Sequence, residues 1–283
     1  MTRITYVNGT YIPHDRAAVH VEDRGFQFAD SVYEVCAFEG TKIIDEQAHL
    51  ARLEQSLASI DVAMPMSRRG LGIIFREVVR KNKLTSGIVY CQVTRGKAKR
   101  DHAFPNPAPL PTLVVSAKRI APETLDARRK NGVSIVFRPD ERWARCDIKS
   151  TGLLANVLAK QSARSTGAYE AWLFDEDGNV TEGTSTNAWI VLADGSLVTR
   201  PLDQHILGGV TRAKLIECAH SANIPVIERK FSTKEVTTAA EAFSSASTVG
   251  ALPVVSIDGT PIGSGTPGPI TRRLNELYRK SSQ

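Results

Sequence analysis

The chain has 283 residues, of which 42% are hydrophobic and 23% charged, and its formal net charge is +6. This composition is typical of a globular protein with room for two domains, and no apolar run approaches the roughly 18 residues of a membrane helix. The four cysteines are far apart and form no Cys-x-x-Cys pair. They therefore argue against a metal site or a disulfide framework and, together with the lack of a signal-peptide apolar core, predict a cytoplasmic location.

The positive charge does not predict a nucleic-acid partner. The one basic cluster, residues 95–100, is short and contains no aromatic residues of the kind that stack on bases. We expect anionic small molecules as ligands, and neither a nucleic acid nor a membrane.

The first part of the chain predicts hairpins and two amphipathic helices. Asn8-Gly9 between two β-rich segments is a strong hairpin signal. Leu50, Leu53, Leu57 and Ile60 recur at helical spacing and form one apolar stripe. The remaining predicted elements are strands at residues 31–38, 42–44, 87–94 and 112–117, and a helix at 71–81.

The best domain boundary is a linker at residues 119–123, between a small α/β domain at 1–118 and a larger domain at 124–283. The larger domain is predicted to contain strands at 133–137, 168–174, 187–192 and 196–199, and helices at 153–165, 210–222, 233–239 and 270–280. Strands and helices interleave without regular βαβ spacing. The sequence therefore predicts a two-domain α/β (α+β-like) fold with mixed, largely antiparallel sheets and outer helices.

Lys149 is the most informative single residue. It follows the β-rich segment at 133–137 and precedes the helical segment at 153–160, among small and hydroxyl residues. A lysine at such a junction can point into a cleft and form a Schiff base with an aldehyde, provided that its surroundings are partly desolvated or cationic. The ordinary alternative is a solvated surface lysine.

Glu182, in a segment of small and polar residues, is the candidate for holding a pyridine nitrogen protonated, which lets the ring accept electrons. Arg52, beside the apolar stripe of its helix, is a candidate phosphate cation. The alternatives are a glutamate in a solvated turn and an arginine that extends from a helix edge into water.

Two segments could bind a phosphate group. At residues 207–212, glycines run into a helical pattern, and a helix start with close backbone approach binds anions. The alternative interpretation of residues 207–212 is a loop that precedes a capped helix and binds no anion. Residues 244–248 are predicted to be a second hydroxyl-rich turn, in which Ser247 is the candidate contact.

Taken in chain order, these features resemble the class IV (fold-type IV) pyridoxal-phosphate aminotransferases. The family has a glutamate about thirty residues after the lysine, then a Leu-x-Gly-hydrophobic-Thr-Arg turn, and residues 182–187 and 207–212 are similar to this pattern. The resemblance implies pyridoxal 5′-phosphate as the cofactor, a Schiff base on Lys149 and a ring-nitrogen contact from Glu182. It implies cofactor contacts from Arg52, Leu207, Gly209, Val210, Thr211, Ser247 and Thr248.

Within the family, residues 23–35 and 92–105 are similar to segments of D-amino-acid aminotransferases, which carry Arg-x-His in the second segment. The resemblance implies that Arg100, His102 and Tyr33 bind the substrate carboxylate, that the loop reaches across a homodimer, and that D-amino acids such as D-alanine and D-glutamate donate to 2-oxoglutarate or pyruvate. Residues 29–31 read Ala-Asp-Ser, where these enzymes usually have Gly-Asp-Gly. The substrate range could therefore extend to (R)-amines.

Other activities stay open at this point. An (R)-selective amine aminotransferase and a branched-chain aminotransferase share the fold, as does aminodeoxychorismate lyase, which eliminates rather than transaminates. A non-catalytic anion-binding protein could use the same turns, but it would not attach the cofactor to Lys149.

Overall fold

The computed structural model describes residues 3–282, and the chain divides into two compact units. The first unit comprises Met1–Ala121 and Ile148–Gly152, and the second comprises Pro122–Asp147 and Leu153–Gln283. Lys149 therefore belongs to the first unit by its contacts, although it lies far along the chain. The predicted domains at 1–118 and 124–283, with their linker, stay a prediction.

The first unit is a six-stranded antiparallel sheet in the order β2-β1-β6-β5-β3-β4. Helices α2 and α3 pack on it, α2 against β3 and α3 against β6. Its elements are β1 (Ile4–Val7), β2 (Thr10–Pro13), a 3-10 turn (His14–Arg16), α1 (Arg24–Phe28), β3 (Ser31–Glu39), β4 (Lys42–Ile43), α2 (Glu46–Ala58), α3 (Arg68–Lys81), β5 (Ser86–Thr94) and β6 (Thr112–Lys118).

The predicted first hairpin is confirmed. β1 and β2 pair in register around Asn8 and Gly9, whose φ angles are 43° and 96°. Positive φ at both central positions is what a tight hairpin turn requires, and asparagine and glycine are the residues that tolerate it.

The two predicted helices are confirmed, with shifted ends. Leu50, Leu53 and Leu57 are fully buried on α2, but Ile60 lies beyond the end of that helix. α3 begins three residues earlier than predicted because Ser67 caps it, accepting a hydrogen bond from the N–H of Gly70.

The second unit contains a nine-stranded mixed sheet in the order β12-β11-β10-β13-β14-β7-β8-β9, with β15 paired to β14. The pairs β11/β12, β14/β7 and β7/β8 are parallel and the others antiparallel. Its elements are α4 (Pro122–Asn131), β7 (Val133–Pro139), α5 (Leu154–Ser165), β8 (Glu170–Phe174), β9 (Val180–Gly183), β10 (Asn187–Val191), β11 (Leu197–Thr199), α6 (Val210–Ser221), β12 (Val226–Glu228), α7 (Thr233–Thr238), β13 (Glu241–Ala246), β14 (Gly250–Ile257), β15 (Thr260–Pro261) and α8 (Pro269–Ser282).

These sheets confirm the predicted fold class, but several elements of the second unit differ from expectation. Residues 122–123 of the predicted linker form the first turn of α4. β13 and β14 were not predicted, because they are almost wholly buried and lack the alternation that marks a half-exposed strand. The predicted turn at 244–248 is shorter, since Ser244 and Ser245 lie within β13.

Within residues 3–282, no helix has both the length and the apolar character needed to cross a membrane.

We expect Leu71→Ala to lower the free energy of unfolding by about 2–5 kcal/mol, because it empties space in a close-packed core. Leu71 is fully buried in the core of the first unit, whereas Ile73, on the same helix, is 60% exposed. The matched variant Ile73→Ala should change the unfolding free energy by less than about 1 kcal/mol. Urea unfolding of the purified proteins measures both, and equal losses for the two variants would contradict the assigned core.

Candidate active site

Lys149 is fixed to strand β3 through its backbone. Its N–H donates to Ser56 Oγ at 3.3 Å, and its carbonyl accepts from the N–H of Tyr33 at 3.0 Å. The neighbouring Ser150 forms a β-bridge with Val32. The side chain is half-buried, and its Nζ lies 4.3 Å from the centroid of the Tyr33 ring. Strand β3 therefore contacts both the backbone and the side chain of Lys149, and Ser56 on helix α2 adds a second backbone contact.

A hydrogen-bond network of hydroxyl groups and one amide joins β3 to the neighbouring strand β5. Ser31 and Thr151 share a hydrogen bond between their hydroxyls, and the Gln92 amide donates to Ser31 Oγ at 3.3 Å. The Tyr90 hydroxyl donates to Gln92 Oε1 at 2.9 Å, and its ring stacks on Tyr33 with centroids 5.7 Å apart. Burial, reinforced by the neighbouring Tyr33, raises the pKa of Tyr90 to about 12, so this phenol stays a donor. The serine that departs from the family pattern therefore has a structural partner here.

Glu34, the next residue after Tyr33, is fully buried and holds Arg52. The Arg52 Nε and Nη2 donate to its two oxygens at 2.7 and 2.9 Å, and His49 Nδ1 lies 2.7 Å from Oε2. Burial alone would raise the pKa of Glu34, but the charge and hydrogen bonds of Arg52 and the bond from His49 lower it to about 2. The predicted phosphate cation is thus oriented by an ionised carboxylate.

Arg100 and His102 are exposed on the loop that follows β5. The Arg100 guanidinium carbon lies 5.1 Å from the centroid of the Phe28 ring, and the His102 ring lies 5.4 Å from it. The structure therefore gathers these two predicted residues around Phe28, and it places the ring of Tyr33 against Tyr90 and Lys149.

In the second unit, Glu182 lies in β9 and both of its oxygens accept hydrogen bonds. Asn187 Nδ2 and the N–H of Leu207 donate to Oε2 at 3.0 and 3.1 Å. Arg142 donates to Oε1 and also pairs with Asp140 at 2.7 Å. Glu182 is thus a buried, fixed carboxylate rather than the solvated turn residue that was the alternative.

Sequence reasoning missed Arg142. Burial would lower the pKa of its guanidinium, but Asp140 and Glu182 raise it, so Arg142 stays charged beside Glu182. Asp140, two residues away, was a local signal of an ion pair. The contact with Glu182 joins residues 40 positions apart, which spacing in the sequence does not reveal.

Glu170 is a second residue that sequence reasoning missed. It is fully buried, and it accepts hydrogen bonds from the hydroxyls of Thr184, Ser185 and Thr186 at 3.0, 2.8 and 2.6 Å. Lys160 lies 3.6 Å from its Oε1 and offsets its charge. These bonds fix the turn that joins Glu182 to Asn187. The run of three hydroxyl residues was the available signal, since buried hydroxyls need acceptors.

The start of α6 has the properties of an anion site. A Cβ on Gly209 would lie 2.0 Å from Asn187 Oδ1, so only glycine fits there. Thr211 Oγ1 is buried in the first turn and has no hydrogen-bond partner among residues 3–282. Arg212 instead donates to Glu228 at 2.6 Å. An unpartnered hydroxyl beside the N–H groups of a helix start fits the predicted phosphate contact.

The second predicted phosphate segment is partly corrected. Ser247 and Thr248 are half-buried in the turn after β13, as predicted. Ser244 and Ser245 instead accept hydrogen bonds from the indole N–H groups of Trp172 and Trp189, each at 2.9 Å, inside the sheet.

Comparison with known proteins identifies the family. The family model described as "Amino-transferase class IV" matches residues 31–257, which is most of the chain. The chain belongs to the class IV aminotransferases. Among its relatives are the D-alanine aminotransferases of Bacillus licheniformis, 38% identical over 97% of this chain and 95% of that protein, and of Staphylococcus aureus, 36% identical over 97% and 96%.

A solved structure supports the fold of this class IV aminotransferase. The branched-chain amino acid aminotransferase of Escherichia coli superimposes with a TM-score of 0.88, covering 100% of this chain and 95% of that chain at 25% identity. The predicted fold-type IV architecture is therefore confirmed.

The Glu34–Arg52 pair predicts a pH dependence for this aminotransferase. Because the folded-state pKa of Glu34 lies below the ordinary value of 4.5, its stabilisation is present above about pH 5 and is lost as pH falls toward 2. Glu34→Gln should lower the unfolding free energy at pH 7 by about 3 kcal/mol, since it leaves Arg52 unpaired. The difference between wild type and variant should shrink below pH 4.

Urea unfolding at pH 7, 5, 4 and 3 measures the effect. Glu77→Gln, which removes a carboxylate from the largely exposed pair with Arg80, is the matched control and should change stability little at any of these pH values. A Glu34→Gln variant that follows the wild-type pH profile would contradict the assigned role of the buried pair.

Proposed function

We propose that this chain is a pyridoxal-phosphate-dependent aminotransferase that transfers the amino group of D-amino acids, such as D-alanine and D-glutamate, to 2-oxoglutarate or pyruvate. The observation that carries the proposal is the match to D-alanine aminotransferases over 97% of this chain. The fixed carboxylate of Glu182 and the positioned amine of Lys149 support it, because transamination needs both groups.

Pyridoxal 5′-phosphate supplies an aldehyde that condenses with amines and a ring that accepts electrons from the bond broken at the substrate's Cα. Two features at the start of α6 fit a bound phosphate group. The Thr211 hydroxyl has no partner among residues 3–282, and position 209 is a glycine because a larger residue would collide with Asn187. The residues proposed to hold the cofactor are Arg52, Lys149, Glu182, Leu207, Gly209, Val210, Thr211, Ser247 and Thr248.

Lys149 and Glu182 have different roles in the proposed chemistry. Lys149 Nζ takes the proton from the substrate's Cα and later returns one, as general base and general acid. Glu182 would hold the ring nitrogen of the cofactor in its protonated form. Arg142 favours the ionised form of Glu182, so this carboxylate would act as the acceptor of the ring-nitrogen proton.

The substrate carboxylate is proposed to bind Arg100, His102 and Tyr33. A guanidinium pairs with a carboxylate through two parallel hydrogen bonds, and an imidazole and a phenol add directed bonds. Exposure of Arg100 and His102 in a single chain supports a role toward a ligand or a second subunit.

A branched-chain aminotransferase is the second candidate. The fold similarity to the Escherichia coli enzyme favours it. The Arg-x-His sequence of the loop after β5 favours the first candidate, and so does the higher identity to D-alanine aminotransferases.

We also infer a homodimer in the cytoplasm. Helix α5 exposes an apolar stripe of Leu154, Val157 and Leu158, which are 71%, 58% and 58% exposed, and a second copy of the chain would cover it. The four cysteines are buried thiols, which fits a reducing compartment.

Borohydride reduction of the holoenzyme should attach the cofactor irreversibly to Lys149, because this is the proposed amine partner of its aldehyde. Peptide mapping by mass spectrometry locates the label. The matched control is Lys160, another half-buried lysine. Burial lowers the pKa of its amine. Lys160→Met should keep the label and Lys149→Ala should lose it, whereas a label on Lys160 would contradict the assignment.

A donor panel with 2-oxoglutarate tests the substrate class. The enzyme should accept D-alanine and D-glutamate as amino donors and turn over L-leucine far more slowly. Turnover restricted to L-leucine would reject the proposal.

Arg100→Ala should lower kcat/KM for D-alanine by about 10- to 100-fold, because it removes a charge-assisted bond to the carboxylate. Turnover of (R)-1-phenylethylamine, which has no carboxylate, should stay within about threefold. Equal losses for both donors would remove Arg100 from this role.

A further inference from the structure

Arg24 is an almost fully buried arginine whose partners are all in the first unit. It is 3% exposed, and its Nε donates to Asp30 Oδ2 at 2.8 Å. Its Nη1 and Nη2 donate to the carbonyls of Asp101 and His102 at 2.5 and 3.3 Å. One guanidinium therefore binds the backbone of the exposed loop directly after Arg100.

The beginning of the same loop is tied to the segment around Arg24. The N–H of Arg24 donates to the carbonyl of Gly96 at 3.0 Å, and the N–H of Ala98 donates to Glu22 at 3.2 Å. Asp23 and Lys97 form a β-bridge. These backbone bonds hold residues 96–98, and the Arg24 side chain continues the attachment to residues 101 and 102.

Asp30 connects this anchor to the rest of the sheet. Its second partner is Arg95, whose Nε and Nη2 donate to it at 2.7 and 3.0 Å. Arg95 also lies over the Phe104 ring at 3.7 Å, and Phe104 follows His102 by two residues in the same loop. Burial alone would raise the pKa of Asp30, but hydrogen bonds from Arg95 and Arg24 lower it, so the carboxylate is ionised.

Phe28 contacts the side chains of Arg100 and His102 on the loop. The guanidinium carbons of Arg24 and Arg100 lie 4.9 and 5.1 Å from its ring centroid, within the range of a cation–π contact. His102 packs against the same ring. Arg24 and Phe28 lie at the two ends of the short helix α1, so both attachments come from one element.

We propose that Arg24 is a positioning residue for the carboxylate-binding loop, and that it sets the affinity for substrates with a carboxylate by fixing Arg100 and His102 before binding. An exposed loop would otherwise lose conformational entropy each time it closed on a ligand. The inference rests on the proposed function, because it takes the carboxylate role of Arg100 and His102 from there. It adds an interaction partner for the loop that is not among the residues proposed to hold the cofactor or the substrate.

The experiment uses the holoenzyme with Arg24→Lys and Arg24→Met. Lysine keeps the charge beside Asp30 but does not reproduce the fork that reaches two carbonyls. Both variants should raise KM for D-alanine about tenfold, and the inhibition constant of propionate by the same factor, while kcat stays within about threefold. Arg68→Met, which breaks the exposed pair with Glu54 in the same unit, is the matched control and should leave all three constants unchanged.

Limited trypsin digestion gives a readout that does not depend on activity. Lys99 and Arg100 are cleavage sites within the anchored loop, and cleavage there should be about tenfold faster in Arg24→Met than in wild type or Arg68→Met. If Arg24→Met does not fold, Arg24→Lys carries the same comparison.

If KM and the rate of cleavage are unchanged in the Arg24 variants, the inference is wrong. It is also wrong if kcat and cofactor content fall together with the rise in KM, because that result indicates a general structural role for Arg24. Failure of the proposed function looks different. Wild type would then not use D-alanine, or Arg100→Ala would leave its KM unchanged, while the faster cleavage of Arg24→Met would still report the anchor.

Discussion

Pairing of carboxylates with guanidinium groups in poorly solvated positions is the interaction on which the proposed site depends. Three such carboxylates lie beside proposed site residues: Glu34 with Arg52, Glu182 with Arg142, and Asp30 with Arg24 and Arg95. At these positions an unpaired charge would be costly, and removing one partner leaves the other uncompensated. The same low exposure strengthens the attraction, so each pair has one geometry before any ligand binds.

The alternation of strand β3 allows one segment to serve two purposes. Successive side chains of a strand point to opposite faces, so Tyr33 and Glu34 are separated by the sheet. Tyr33 contacts the Lys149 side chain, and Glu34 is buried against α2, where it holds Arg52 and His49. The position of the proposed catalytic lysine and that of the proposed phosphate cation are therefore both determined by the register of β3, and a slip of one residue would exchange the two faces.

The sequence predicted the elements whose signals are local. Asn8-Gly9 indicated the first hairpin, the leucine stripe indicated α2, and the glycines before Val210 indicated the start of α6. Strands β13 and β14 were missed because buried positions on both faces remove the alternation. Arg142, Glu170 and Arg24 were missed as site residues because their partners lie 40, 14 and 77 positions away along the chain, and only the folded sheets bring these groups together.

The arrangement of the first unit separates what maintains the fold from what is proposed to select the substrate. Arg100 and His102 are exposed, so replacing them removes little buried contact and should cost little folding energy. Arg24 and Arg95 are buried and bind backbone carbonyls, so their loss would leave polar groups unsatisfied. On the proposed function, a change at Arg100 or His102 would alter carboxylate binding at little cost to the fold, whereas a change at Arg24 or Arg95 would affect both.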